Sequence, residues 1–360
     1  MNVAAEQALW QRLLAGGLVA GEAPATRGAA PWFVRVMLGV AGWIGALFVL
    51  SFVGVGFRFV MESASVSFVV GAGTCAAAAW LFRAKPDSDF ASQFALALSM
   101  AGQALVLLAL AKAFKTHTTA MALGMGLFEA VLFLAVPNFV HRVWAAWAGA
   151  SAVVYALMDW RLDPYAPALL AMACAWVWLN EIRYARHGAL LRAGGYGLVL
   201  ALLGALGVLT SAAGVWIWHS AVQPSAWDIS HFWIAAGLSG AVLLWTVQCL
   251  LLREALAPAS APGLRLLAIA AVLALTTLKA PGLAPTLLIL LLGFANGNRL
   301  LAGLGVLSLL GYLSFFYYTL QATLLHKSAL MVATGVALLA ARLLLHRWWP
   351  ASQQEESGHA

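Results

Sequence analysis

Glu129 lies in TTAMALGMGLFEAVLFLAV, well inside an apolar run. An ionisable group at that depth is costly in hydrocarbon and marks a functional site by default. Two chemistries fit it. One is a proton or cation relay. The other is a structural carboxyl, protonated or paired with a cation. Arg142 opens the next apolar run just beyond Pro137 to His141, near enough in sequence to snorkel toward Glu129. A second cluster interrupts FFYYTLQATLLHKSALMVATG at 315–335, where Tyr317, Tyr318, Gln321, Thr323, His326, Lys327 and Ser328 gather. Tyr317 and Tyr318 have rings suited to the headgroup level. Lys327 falls near a helix N-terminus, where the macrodipole disfavours a cation. It therefore calls for an anion: a carboxylate, a lipid headgroup, a ligand or a partner protein. The plainer alternative is a lysine that snorkels into the headgroups.

Other candidates read as structure. Asp228 and His231 are three residues apart, with His219 nearby, a spacing that could hold a metal. Trp216, Trp218, Trp227 and Trp233 around them are instead the mark of a membrane interface, and Ser225 with Asp228 starts a helix. No metal centre is expected there. Asp159 and Asp163 flank Arg161 in MDWRLDPY, where Asp163-Pro164 is turn chemistry that opens the next helix. The chain shows no HExxH, GxSxG, P-loop or repeated DxD, so no enzyme and no cofactor is expected. Cys75, Cys174 and Cys249 sit singly in apolar runs and form neither a disulfide framework nor a thiolate site.

The elements that carry these residues follow from composition. Of 360 residues, 63% are hydrophobic and 9% charged, against roughly 25% charged in soluble domains. Most of the surface must therefore face lipid. The fold class expected is all-α, a polytopic transmembrane helical bundle of about twelve spans (range 10–12). Apolar runs lie near 33–56, 63–82, 90–113, 118–136, 140–158, 164–182, 190–213, 230–252, 264–280, 282–296, 299–320 and 325–347. The pair at 264–296 forms either two short spans or a broken hairpin around Ala280-Pro281-Gly282. With the N- and C-termini inside, fourteen of the 20 basic residues fall inside and six outside, as the positive-inside rule requires. The net charge of +7 is thus a topology signal, with no basic stripe to bind nucleic acid.

Residues 1–30 read as a cytoplasmic amphipathic helix and linker, 31–348 as the transmembrane domain, and 349–360 as a disordered cytoplasmic tail. In the helix over 3–15, Leu9, Trp10, Leu13 and Leu14 share a face, and Gly16-Gly17 ends it. The first long apolar run starts only near Phe33, so no cleavable signal is expected. Gly42 and Gly45, Gly124 and Gly126, Gly204 and Gly207, and Gly303 and Gly305 are spaced for close helix packing. No internal repeat stands out.

Three blocks carry a resemblance: YYTLQATLLHKSALMVATGVALL near the C-terminus, PWFVRVMLGVAGWIGALFVL at 31–50 and LLILLLGFANGNRLLAGLG at 287–305. In these blocks, and in its layout, the chain resembles the bacterial domain of unknown function 4401 family. The resemblance implies a multi-spanning protein of the bacterial inner membrane. It also implies neighbours, namely another polytopic membrane protein and a small envelope protein with a GDYxxLxY motif, and so a complex. It supplies no catalytic residues, and directs interest to Tyr317, Tyr318, Thr323, Lys327 and Ser328. Membrane lipids are the other partners expected. The leading expectation is a non-enzymatic subunit of a small cell-envelope complex. The alternatives are a permease or exporter of a small solute or lipid using Glu129, and a membrane-embedded lipid-modifying enzyme.

Overall fold

Apolar runs rich in Leu, Ala and Val satisfy their backbone groups most cheaply as helices when lipid surrounds them. The computed structural model describes residues 3–21 apart from 18, scattered positions between 34 and 51, residues 58–319 apart from 87, 116–117, 211–225 and 279, and Leu325, Ser328 and Val332. Every regular element among the described residues is helical. The chain divides into two units, residues 1–113 and 114–360.

In the first unit α1 (Val3–Ala15) ends at Gly17, whose φ of +65 is the left-handed conformation that closes a helix. Then come the short α2 (Arg58–Glu62), α3 (Ala64–Ala84) and α4 (Asp89–Phe114). α3 and α4 cross at two glycines. A Cβ on Gly71 would stand 2.7 Å from the Gly102 carbonyl oxygen, and one on Gly102 would stand 2.6 Å from that of Gly71. Such contact is the use of small residues in membrane helices, which have no hydrophobic drive to associate. Buried polar groups beside the crossing find partners: Gln103 Nε2 donates to Ser99 Oγ at 3.3 Å, and Cys75 Sγ lies 3.4 Å from the Ser99 carbonyl.

The second unit contains α5 (Thr118–Ala135), α6 (Phe139–Asp159), α7 (Ala166–Asn180), α8 (Gly188–Thr210), α9 (Ala226–Arg253), α10 (Ala261–Thr276), α11 (Leu283–Ala295) and α12 (Arg299–Thr319). Local chemistry starts them. Asn138 caps α6 by accepting from His141 N, Ser260 caps α10 by accepting from Gly263 N, and Asn298 accepts from Leu301 N at the head of α12. A short 3-10 turn at Asp163–Tyr165 leads into α7, as the Asp-Pro pair predicts. Consecutive described helices of this unit pack antiparallel. Asp159 meets Thr119 at one end of the α5–α6 pair, and Arg142 meets Phe133 at the other. Tyr165 with His231 joins the first end, while Glu181 with Arg192, Tyr196 with Asn298 and Arg253 with Asn296 gather at helix ends of the second kind.

The core lies around α7 and α11, the two shortest of these eight helices at 15 and 13 residues. Both are apolar on all faces; α11 is largely enclosed by other helices, while α7 leaves Leu169, Met172 and Trp176 exposed. Trp178, Leu202, Leu288, Ile289, Leu292 and Leu301 are fully buried there. Six described helices are long and apolar enough to cross a membrane: α3, α4, α5 and the segments Ala185–Val208, Ser230–Arg253 and Arg299–Tyr318. The protein is therefore membrane-embedded. Residues 264–296 hold two separate helices. α11, with 13 residues, reaches about 20 Å at 1.5 Å per residue, short of a bilayer core of about 30 Å. The run at 325–347 lies almost wholly outside the described residues.

The helix order of the second unit is similar in its two halves. α5 to α8 and α9 to α12 follow one plan, with the third helix the shortest in each half. AVLFL at 130–134 matches AVLLW at 241–245, APALL at 166–170 matches APTLL at 284–288, and VLALLG at 199–204 matches VLSLLG at 306–311. Equivalent helices are four apart, so both halves run in the same sense rather than inverted.

Candidate functional site

The α5–α6 pair fixes the surroundings of Glu129. Its register brings Thr119 to Asp159, Gly126 to Gly149 and Ala152, and Phe133 to Arg142. Opposite Glu129 stands Gly149, where a Cβ would lie 3.4 Å from the Cβ of Glu129. Glu129 is 0% exposed, and both its carboxyl oxygens are buried without a hydrogen-bond partner. Pairing with Arg142 is one of the two structural alternatives for this carboxyl, and it is not the contact that Arg142 makes here. Arg142 Nε donates to the Phe133 carbonyl at 3.1 Å. Register is the reason: Arg142 faces a position one turn nearer the end of α5 than Glu129. There a free carbonyl and the negative end of the helix dipole satisfy a guanidinium.

This separation has a measurable consequence. Glu129→Gln should leave membrane abundance near that of the unmodified chain, because an amide is cheaper in an apolar seam than an unmatched carboxyl. Arg142→Ala should lower it modestly through loss of the helix-end contact. The double variant should be additive within about 0.5 kcal/mol, as for groups that do not touch. Coupling well beyond that, from abundance or thermal unfolding of the four proteins, would restore the ion pair.

Near this seam α5, α6 and α8 leave a groove of ≈ 510 Å³, lined among others by Gly126, Ala130, Ala145, Gly149, Val153 and Leu198. No polar side chain lines it.

The other candidates are placed as follows. Tyr317 and Tyr318 close α12 with their rings edge to face at 5.5 Å, Tyr317 half-buried and Tyr318 80% exposed. Lys327 lies outside the described residues, as do the side chains of His219 and Asp228. His231 Nδ1 lies 2.6 Å from the Tyr165 hydroxyl, with the rings edge to face. Among the described residues no three potential metal ligands gather. Asp159 is tied to α5: Thr119 donates to it from its backbone N–H at 3.2 Å and from its hydroxyl. Just beyond the apolar run at 140–158, hydrogen bonds from the Thr118 and Thr119 side chains hold its carboxyl below the usual carboxylate range.

Sequence reasoning missed the polar junction at Tyr196 and Asn298. The tyrosine hydroxyl lies 2.8 Å from Asn298 Nδ2 and 3.0 Å from Oδ1, and Tyr196 also meets buried Trp178 edge to face at 5.2 Å. Beside it Arg253 donates to Asn296 at 3.0 Å. The available signal was the turn sequence Asn296-Gly297-Asn298, where Gly297 takes φ +60. Its partners lie far away in the chain.

A family model described as Domain of unknown function (DUF4401) matches residues 31–348. No curated protein matches the chain, and no solved structure does.

Proposed function

We propose that this chain, which belongs to the domain of unknown function 4401 family, serves as a non-enzymatic subunit of a small cell-envelope complex in the bacterial inner membrane. The observation that supports this reading best is the end of α12. Tyr318 is 80% exposed with Tyr317 edge-on beside it, and the chain continues directly into the block that holds Lys327. Tyrosine is among the residue types that dominate protein–protein binding. The partners are those the resemblance implies, a second polytopic protein and a small envelope protein. Purification in mild detergent tests it. A stoichiometric protein partner favours the subunit, and a bound solute with no partner overturns it. A second reading, a permease or exporter of a small solute or lipid, draws on the unmatched carboxyl of Glu129.

The proposed topology is twelve spans with both termini inside. The ends of the second unit support it, since Phe133–Arg142, Glu181–Arg192 and Arg253–Asn296 all lie at junctions that the charge pattern assigns to the inside. Reporter fusions after Gln353 should read cytoplasmic, and fusions within 220–226 should read periplasmic. Either result reversed ends the twelve-span model.

A further inference from the structure

Two of the six segments fit to cross a membrane end in arginines, and one turn links those ends. Ser230–Arg253 closes on Arg253, and Arg299–Tyr318 opens on Arg299. Arg253 Nη1 donates to Asn296 Oδ1 at 3.0 Å, which holds it against the Asn296-Gly297-Asn298 turn that leads straight into Arg299. Both arginines are exposed. A guanidinium carries five N–H donors in a planar fork that matches a phosphate, so the bond to Asn296 leaves most of Arg253 available. A side chain at the first or last residue of a span stands at the depth of the lipid headgroups.

Charge and neighbouring side chains name the occupant. At this end of the second unit the described residues carry seven arginines against two acids, Glu181 and Glu254, and Arg192 already engages Glu181 at 2.7 Å. At the opposite end Lys115 and Arg161 are balanced by Asp159 and Asp163. Among the described residues the excess thus sits at one end. It favours a net anion over a zwitterionic head, whose ammonium it would repel. Large apolar side chains adjoin the arginines: Leu252 precedes Arg253, Leu300 follows Arg299, and Phe294 stands just before the turn, all three exposed. A soluble phosphate compound would gain nothing from them. A phospholipid would, laying its acyl chains on these three residues while its phosphate reaches the arginines.

We propose that Arg253 and Arg299 form a headgroup site for an anionic phospholipid, the phosphate held by the two guanidinium groups and the acyl chains by Leu252, Phe294 and Leu300. The site goes beyond both readings of function, because binding requires neither a partner protein nor movement across the membrane. The test uses the full chain in phosphatidylcholine nanodiscs, which present both ends of the helices. Two photoactivatable probes of equal chain length are compared, phosphatidylglycerol and phosphatidylcholine. The anionic probe should label peptides around 250–256 and 293–301 several-fold more than the zwitterionic one. Unlabelled phosphatidylglycerol should compete, and glycerol phosphate should not. Arg253→Gln combined with Arg299→Gln should cut the labelling about tenfold, the loss of roughly one charge-assisted contact. Arg183→Gln combined with Arg186→Gln, at the same end but away from this turn, should leave it unchanged. Equal labelling by the two probes in the unmodified chain would overturn the proposal whatever the variants do. So would undiminished labelling in the first double variant, or an equal loss in the second, which would reduce the effect to diffuse attraction. Competition by glycerol phosphate would make the pair a soluble-anion site and end the lipid assignment.

Discussion

Gly293→Val should remove most of the folded protein from the membrane. α11 and α12 touch at Gly293, where even a Cβ would stand 2.4 Å from Ala302 N, 2.6 Å from Ala302 Cα and 2.9 Å from the Leu301 carbonyl carbon. These are backbone atoms on the facing helix and cannot rotate aside. Gly305 makes the return contact, with a Cβ position 2.5 Å from Leu290 Cα. Fully buried Leu288, Ile289, Leu292 and Leu301 share this region, so prising the helices apart would open the centre of the unit. Overpacking of a core costs about 1–3 kcal/mol when side chains can yield, and more is expected where only backbone can. Gly303 is the control: it lies on α12, the helix that faces Gly293, yet a Cβ there meets nothing within 4 Å. Gly303→Val should accumulate nearly as the unmodified chain does. Equal abundance and equal monodispersity of the two valine variants would show that the α11–α12 contact is not needed.

Lys327→Glu should leave the protein inserted but strip it of its partners. The argument rests on sequence and on the described end of α12. A cation on the less basic side, close to an expected helix start, calls for an anion, and Tyr318, nine residues earlier in the chain, is exposed. If that anion is a partner's carboxylate, charge reversal sets like charges at close range. The loss of a close interfacial pair is about 2–5 kcal/mol, which is more than tenfold in affinity. Lys327→Met should weaken recovery less. The measurement is co-purification of envelope partners with the unmodified chain and the two variants at matched membrane abundance. Equal recovery by all three would make Lys327 a headgroup anchor.

The helical, membrane-embedded class was legible because it rests on composition, which no tertiary contact can reverse. Local punctuation was legible too: Gly17 ends α1, and Asp163-Pro164 opens α7. The depth of Glu129 was readable from its flanking residues, but its surroundings were not. They depend on register, and a single helical turn decides whether Arg142 meets a carboxyl or the carbonyl of Phe133. Small-residue spacing was a mixed guide. Gly305 and Gly126 do pack at helix contacts, yet Gly207 and Gly303 face nothing, and the tight crossings at Gly71, Gly102, Gly197 and Gly293 were not singled out. Spacing along one helix does not reveal what the next helix presents. Tyr196 and Asn298 are 102 residues apart, a distance at which no local pattern speaks.

The similar helix order of α5 to α8 and α9 to α12 gives two seams to compare. In the segment that matches AVLFL, the residue before the shared alanine is Gly240, where the first half has Glu129. A Cβ on Gly240 would stand 3.1 Å from both the Ala274 carbonyl and Thr277 Oγ1, so α9 and α10 close on each other with no room for a carboxyl. In the first half the same seam admits one and leaves a groove beside it. The same place along the plan thus holds a closed seam in one half and a buried carboxyl in the other.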